Sequence, residues 1–282
     1  MGADFFDKQV SDISQAEKIE YFSRKFLGSP YCLGALGEGK QSLFDQNPLY
    51  RFDCFDCLTY VNTVLALAVS SNWAEFTQTM IRLNYYDIDP QYVNRFHFMS
   101  VDWNIENEKS GFIADVTTTI KDSEGKSFAL CAEAVIDRPA WFKKRSLQDL
   151  KLIDPITQEN ALRLLAQLHL AAEDKKPEQA KVMYLPIEKL FNQEGEVITS
   201  IFEQIPHASI VEIVRPNWDL RETIGTHLLV SHLGFVFQTE KGVMFRHATS
   251  IEKRVVEVPL SMYLQNCLRI PTIKGINIQV IL

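Results

Sequence analysis

The sequence has no apolar run long enough to cross a bilayer: the longest, Val64–Val69, falls far short of the ~20 residues a membrane helix needs. It also lacks any run of five or more basic residues, and 29 Lys plus Arg stand against 36 Asp plus Glu, a net charge of −7. That balance excludes the electrostatic footprint of a nucleic-acid binder. The opening Met-Gly-Ala-Asp-Phe-Phe-Asp-Lys has no signal-peptide apolar region. Cysteine is scarce: five residues, scattered apart from one pair, an odd number that implies no disulfide framework. Neither an HExxH nor a second CxxC accompanies Cys54-Phe-Asp-Cys57, so zinc has no ligand set and a lone CxxC is weak evidence of redox use. No internal repeat or low-complexity tract interrupts the chain. What remains, 282 residues of which 46% are apolar, is a soluble globular protein able to bury a full core.

The stretch Asp53-Cys-Phe-Asp-Cys-Leu-Thr-Tyr60 carries the first chemical signal. Asp56 is a good N-cap, Cys57 follows, and Leu58, Val61, Leu65 and Ala68 continue with helical spacing. Cys57 is thereby expected in a first helical turn, where unpaired N–H groups and the positive end of the dipole favour thiolate over thiol. The competing reading is a small buried apolar residue on a core helix. Upstream, residues 11–27 pattern as an amphipathic helix ending at Gly28-Ser-Pro30, and an irregular, glycine-bearing loop delivers the chain to the cysteine.

Downstream, Asn72 with Glu75 gives a capping-box pattern for a second helix. The segment Tyr92–Trp103 stays open between a core strand and a binding loop. Gly111–Ile120 and Ser127–Ile136 predict a hairpin, Gln158–Ala172 an apolar helix, and the polar stretch Glu173–Gln179 a surface connection. Helical pieces are expected at Ile187–Phe191 and Glu196–Ile205. From Ser209 onward the pattern is of strands: Ser209–Val214, His227–Gln238, Val243–Thr249, Val255–Val258 and Ile276–Leu282.

A nucleophilic cysteine needs a positioned imidazole, and six histidines compete. A hairpin around Thr-Glu-Lys-Gly sets Gln238 opposite Val243 and Gly234 opposite His247, which turns His232 and His247 to one face as diagonal neighbours. One could act as base and the other orient it. By the period of two His227 faces the other way, and His169 lies on an apolar helix; both suit structural roles. His207 stays a competitor for the orienting position.

These pieces in this order, Gly28-Ser-Pro-Tyr31, Asp56-Cys-Leu-Thr-Tyr60, His232-Leu-Gly-Phe235 and Arg246-His-Ala248, resemble the NlpC-like, papain-fold cysteine peptidases and amidases of bacterial cell walls. The long intervals, the Thr following Cys-x and the Arg95-Phe-His97 to Trp103 segment look more like the N-acetylmuramoyl-L-alanine amidase-like branch. The resemblance implies an α+β, papain-like fold over a single domain, 1–282, with a helix carrying Cys57 packed on an antiparallel sheet; it does not account for about 111–205, which is expected to be a family-specific insertion that shapes the cleft. It implies Cys57 as nucleophile, His232 as general base and His247 as its orienter. Tyr31, Asp56, Arg95, His97 and Trp103 become candidate oxyanion or substrate-binding residues. Cys54, three residues before Cys57, departs from the common pattern; Cys57 is favoured as the reacting thiol because Asp56-Cys57 leads directly into the helix. The implied substrate is a peptidoglycan fragment, a muropeptide, cut at the amide joining muramic acid to L-alanine without metal or other cofactor. The implied compartment is the periplasm or beyond, with a signal trimmed from this chain. Cleavage between γ-D-glutamate and the diamino acid, and a non-catalytic wall-binding role, are the alternatives.

Overall fold

The computed structural model describes residues 5–7, 10, 12–153 and 156–282. Helix α1 (Gln15–Lys25) starts at Ser14, which exchanges hydrogen bonds with Glu17 in a capping box; Ser11, where the sequence pattern begins, lies outside the described residues. Helix α2 (Cys57–Val69) is apolar nearly all round, so Thr59 through Ala68 are buried and it forms the central helix of the core. In α3 (Trp73–Asn84) the Asn72 side chain caps Glu75, but the Glu75 carboxylate accepts from Ser71 N at 2.8 Å instead of closing the box on Asn72. The segment from Tyr92 to Trp103 is neither of the expected forms. It makes a 3-10 turn at Tyr92–Asn94 and a π turn at Met99–Trp103 that leads into α4 (Asn104–Lys109).

The predicted hairpin at 111–136 does not form as such. Its turn closes, with Asp122 N donating to Lys126 O at 2.9 Å, but only Lys121 and Ser127 bridge above it. Strand β1 (Ile113–Asp115) pairs with the C-terminal strand, and β2 (Leu130–Ile136) pairs with β3 (Glu178–Pro186). Between β2 and β3 come α5 (Arg138–Lys143) and α6 (Gln158–Ala171). Strand β3 was not expected; its alternation of buried Ala180, Val182 and Tyr184 starts inside the polar stretch read as a connection. After short turns at Ile187–Leu190 and Thr199–Phe202 follow β4 (Ser209–Leu220), β5 (Thr226–Thr239), β6 (Gly242–Thr249), β7 (Arg254–Pro259), α7 (Leu260–Cys267) and β8 (Gly275–Ile281).

The strands form one antiparallel sheet in the order β2-β3-β8-β4-β5-β6-β7, with β1 beside β8, giving a mixed helix-and-sheet α+β fold. On one face Leu233, Phe235, Phe237 and Ala248 pack against α1, α2 and α3. On the other, Ile213, Val236, Phe245 and Ile276 pack against α7 and the turns of 187–205. A third cluster joins β2 and β3 to Trp141 and Phe142 of α5. The interval 111–205 thus supplies three strands of the sheet itself, and none of its described residues lines the cleft described next. Among the described residues no helix is long and apolar enough to cross a membrane.

Candidate active site

Cys57 stands at the first position of α2 because Asp56 caps it: Asp56 Oδ1 accepts from Thr59 N at 2.8 Å and Asp56 N donates to Thr59 Oγ1 at 2.9 Å. The second carboxylate oxygen accepts from Gly34 N at 3.0 Å, so Asp56 also ties down the preceding loop. That loop carries Tyr31. Backbone bonds from Phe55 N to Pro30 O (3.0 Å), Cys32 N to Phe55 O and Tyr31 N to Lys253 O (both 2.9 Å) lace it between the cysteine strand and the turn after β6. A Cys32–Cys54 disulfide fixes the same junction. The scattered cysteines predicted no disulfide, and 22 residues separate this pair; chain pairing that spacing cannot reveal brings them together. With Cys54 occupied, Cys57, Cys131 and Cys267 are the free thiols, so Cys54-x-x-Cys57 holds no thiol pair and Cys57 is the free thiol at this helix start.

The hairpin register is as expected, Gln238 opposite Val243 and Phe235 opposite Arg246, and Gly234 comes next against His247. A Cβ on Gly234 would lie 2.7 Å from both His247 Cβ and Arg246 O, so only glycine lets the His247 ring cross to its neighbour. Nε2 of His232 lies 2.6 Å from Nδ1 of His247, a distance at which one ring N–H donates to the other. Phe245 stacks on His247 at 4.5 Å, and Tyr263 of α7 faces both imidazoles. Arg246, pointing to the other face, bonds Glu257, Ser23 Oγ (2.6 Å) and Glu20 O, which fastens α1 to β6 behind the histidine.

Cys57, His232, His247 and Tyr31 line one cleft of about 560 Å³, together with Arg215, Trp218, Met262 and Tyr263 among others. Burial dominates its electrostatics. It pushes the Cys57 thiol up to about 12, helped by the Asp56 charge, against which backbone hydrogen bonds from Leu233 and Leu58 act more weakly. The thiolate expected from the helix start is therefore not the resting form: a helix N-terminus contributes ~1 kcal/mol, whereas desolvation of a buried group shifts it by several pKa units. Burial likewise lowers His232 to about 4 and His247, further lowered by His232, to about 3, and raises Tyr31 to about 12. At neutral pH the site rests as thiol, neutral imidazole pair and phenol.

The other candidates lie elsewhere. Arg95, largely buried, holds Glu38 and, at 3.1 Å, Asp45. His97 bonds Tyr92 O at 2.7 Å and packs on Trp141, and Trp103, wholly buried, donates from Nε1 to Asn62 Oδ1 at 2.9 Å. None of the three lines the cleft, away from the substrate-binding place expected for them; each has its polar group bonded to other residues of the interior. His207 accepts from Gln238 N at 3.2 Å and lies near Glu20, so it does not orient His232. His227 faces Asp219 and His169 bonds Arg145 O. The sequence reading missed Tyr263, although Leu260, Leu264 and Cys267 after Pro259 carry a helical spacing that signals α7. It also missed Arg215 and Trp218, which a bulge in β4 brings to the cleft: three residues, Arg215 to Asn217, lie between the pairs Val214–Val230 and Trp218–Leu228. Among the described residues no cluster of three or more His, Cys, Asp or Glu could hold a metal ion.

The chain aligns with a crystal structure of a Legionella pneumophila protein at 39% identity and a TM-score of 0.94, covering 97% of this chain and 91% of that one. Crystal structures of an N-acetylmuramoyl-L-alanine amidase from Bacteroides uniformis share the fold at 22% identity, one with a TM-score of 0.63 over 95% of this chain and 98% of that one. No curated protein matches. A family profile described as N-acetylmuramoyl-L-alanine amidase-like matches residues 21–272, and the chain belongs to this AmiA-like family.

Proposed function

We propose that this protein is a cysteine amidase of papain-like, NlpC-type architecture that hydrolyses the amide between muramic acid and L-alanine in peptidoglycan fragments. One observation carries the mechanism: a free cysteine at a helix start shares a cleft with two histidines whose ring nitrogens are 2.6 Å apart. With His232 donating Nε2–H to His247, its Nδ1 lone pair is the base. The proton leaves Cys57 for Nδ1 as sulfur attacks the lactyl carbonyl, because burial keeps a free thiolate too costly beforehand. First-turn N–H groups of α2, which have no intrahelical acceptor, and the Tyr31 hydroxyl stabilise the oxyanion, at about 3–4 kcal/mol per well-placed donor. Imidazolium protonates the leaving nitrogen of L-alanine, and a thioester remains. Water, deprotonated by His232, then attacks it and releases the lactyl carboxylate and the thiol. The Cys32–Cys54 disulfide suits an oxidising compartment, in keeping with a periplasmic site of action.

Digestion of defined muropeptides by wild type and Cys57→Ala, with products read by mass, tests the proposal. Peptides beginning at L-alanine, lost in Cys57→Ala, are the expected result. Cleavage between D-glutamate and the diamino acid would keep the mechanism and move the bond; no cleavage would sink the enzymatic reading in favour of a wall-binding protein.

A further inference from the structure

We infer that Arg215, stacked on Trp218, is the subsite that selects a free carboxylate on the peptide side of the substrate; this rests on the amidase reading. Three arginines buried in the core, Arg95, Arg138 and Arg246, each hold a carboxylate. Arg215 does not. Its guanidinium lies 4.3 Å over the Trp218 ring, its Nε is buried without a hydrogen-bond partner, and the side chain lines the cleft that holds Cys57. Among the described residues, the only carboxylate lining that cleft, Glu252, sits on the exposed turn between β6 and β7. The ionisable groups that act on the Arg215 charge are the Cys267 thiol and Tyr263 hydroxyl, both pushed up by burial and hence neutral, so its desolvation is not offset.

A cation desolvated in an open cleft with no counter-ion is matched by an anionic ligand, and a guanidinium fork fits a planar carboxylate with two parallel N–H donors. Arg215, Tyr263 and Cys57 line one cleft, and a peptide held with its scissile carbonyl at the thiol presents its second residue along that cleft to the guanidinium. In a muropeptide this residue is D-glutamate linked through its γ-carboxyl, so its α-carboxylate is free. The bulge that delivers both Arg215 and Trp218 is what sets this pair at the cleft.

The test compares N-acetylmuramoyl-L-alanyl-D-glutamate with its D-isoglutamine amide, which differ only in that carboxylate. Wild type is expected to cleave the acid at least tenfold more efficiently, chiefly through KM, since a charge-assisted pair supplies about a factor of ten or more. Arg215→Gln is expected to bring the ratio of the two substrates near one, and Arg215→Lys to leave it between. Equal cleavage of both by wild type, or an Arg215→Gln variant that slows both alike, would overturn the subsite. If wild type cleaves neither compound, the amidase reading fails and binding decides the subsite: L-alanyl-D-glutamate, but not its α-amide, should change tryptophan fluorescence in Cys57→Ala and lose affinity in Cys57→Ala/Arg215→Gln. Equal affinities there would refute it.

Discussion

Replacing Glu212 with Gln should remove a pH-dependent liability at the centre of the sheet. Glu212 is wholly buried on β4; Oε2 accepts from Asn104 Nδ2 at 3.0 Å, while Oε1 has no partner. Burial, reinforced by the Asp115 charge and opposed by the Asn104 bond, raises its carboxyl from the ordinary 4.5 to about 8. Between these values the folded chain holds a proton that the unfolded chain has released. The stabilisation from the neutral acid is thus complete below pH 4.5 and is lost as pH rises towards 8. At about 1.36 kcal/mol per pH unit, the interval from pH 6.5 to 8.0 alone lowers unfolding free energy by about 2 kcal/mol. That interval isolates Glu212 from His232 and His247. Their folded values are depressed, so their contribution is present above pH 6.5 and lost as pH falls towards about 4 and 3. Urea titrations followed by tryptophan fluorescence at pH 6.5 and 8.0 measure the difference. Wild type should lose about 2 kcal/mol between the two pH values, and Glu212→Gln should lose much less. Equal losses in the two proteins would refute the assignment of the liability to this carboxyl.

The depressed His232 predicts that kcat/KM keeps a plateau through neutral pH and falls on the acid side near pH 4, where the base is protonated; a limb near the ordinary 6.5 would contradict the buried imidazole pair. His247→Asn should lower kcat by about 10- to 100-fold by releasing the His232 ring, with KM little changed, whereas His232→Ala should lower it by 10³-fold or more; steady-state kinetics on a muropeptide decides. Thiol titration of the unfolded, unreduced protein should count three free cysteines. Cys54→Ser, opening the link across 22 residues, should cost about 3 kcal/mol in urea unfolding, and unchanged stability would show that the backbone bonds of the Tyr31 loop suffice alone.

Much of the active site was legible because it is local or rests on one short hairpin. Asp56 and Cys57 are adjacent, so the cap and the helix start follow from two residue types. His232 and His247 are linked by a tight turn whose register fixes their shared face, and Gly234 between them marks the close approach that the structure requires. The strands β4 to β7 were visible for the same reason: nearest neighbours in sequence pair in space.

Where partners are distant in the chain, the pattern gave way. Strand β1 has the composition of a hairpin arm but pairs with β8 at the other end of the chain, a choice made by tertiary packing. The disulfide between Cys32 and Cys54, the bulge that brings Arg215 and Trp218 to the cleft, and Tyr263 beside the imidazoles all depend on which surfaces the folded chain presses together. The same holds for charge. Sequence placed Cys57 at the positive end of a helix, which favours the thiolate; only the folded structure supplies the burial that outweighs it, because desolvation is set by everything packed around the sulfur and not by its neighbours in the chain. The sequence by itself marked the candidate thiol, the imidazole pair and their order; tertiary structure decided their protonation, their enclosure and the guanidinium that shares their cleft.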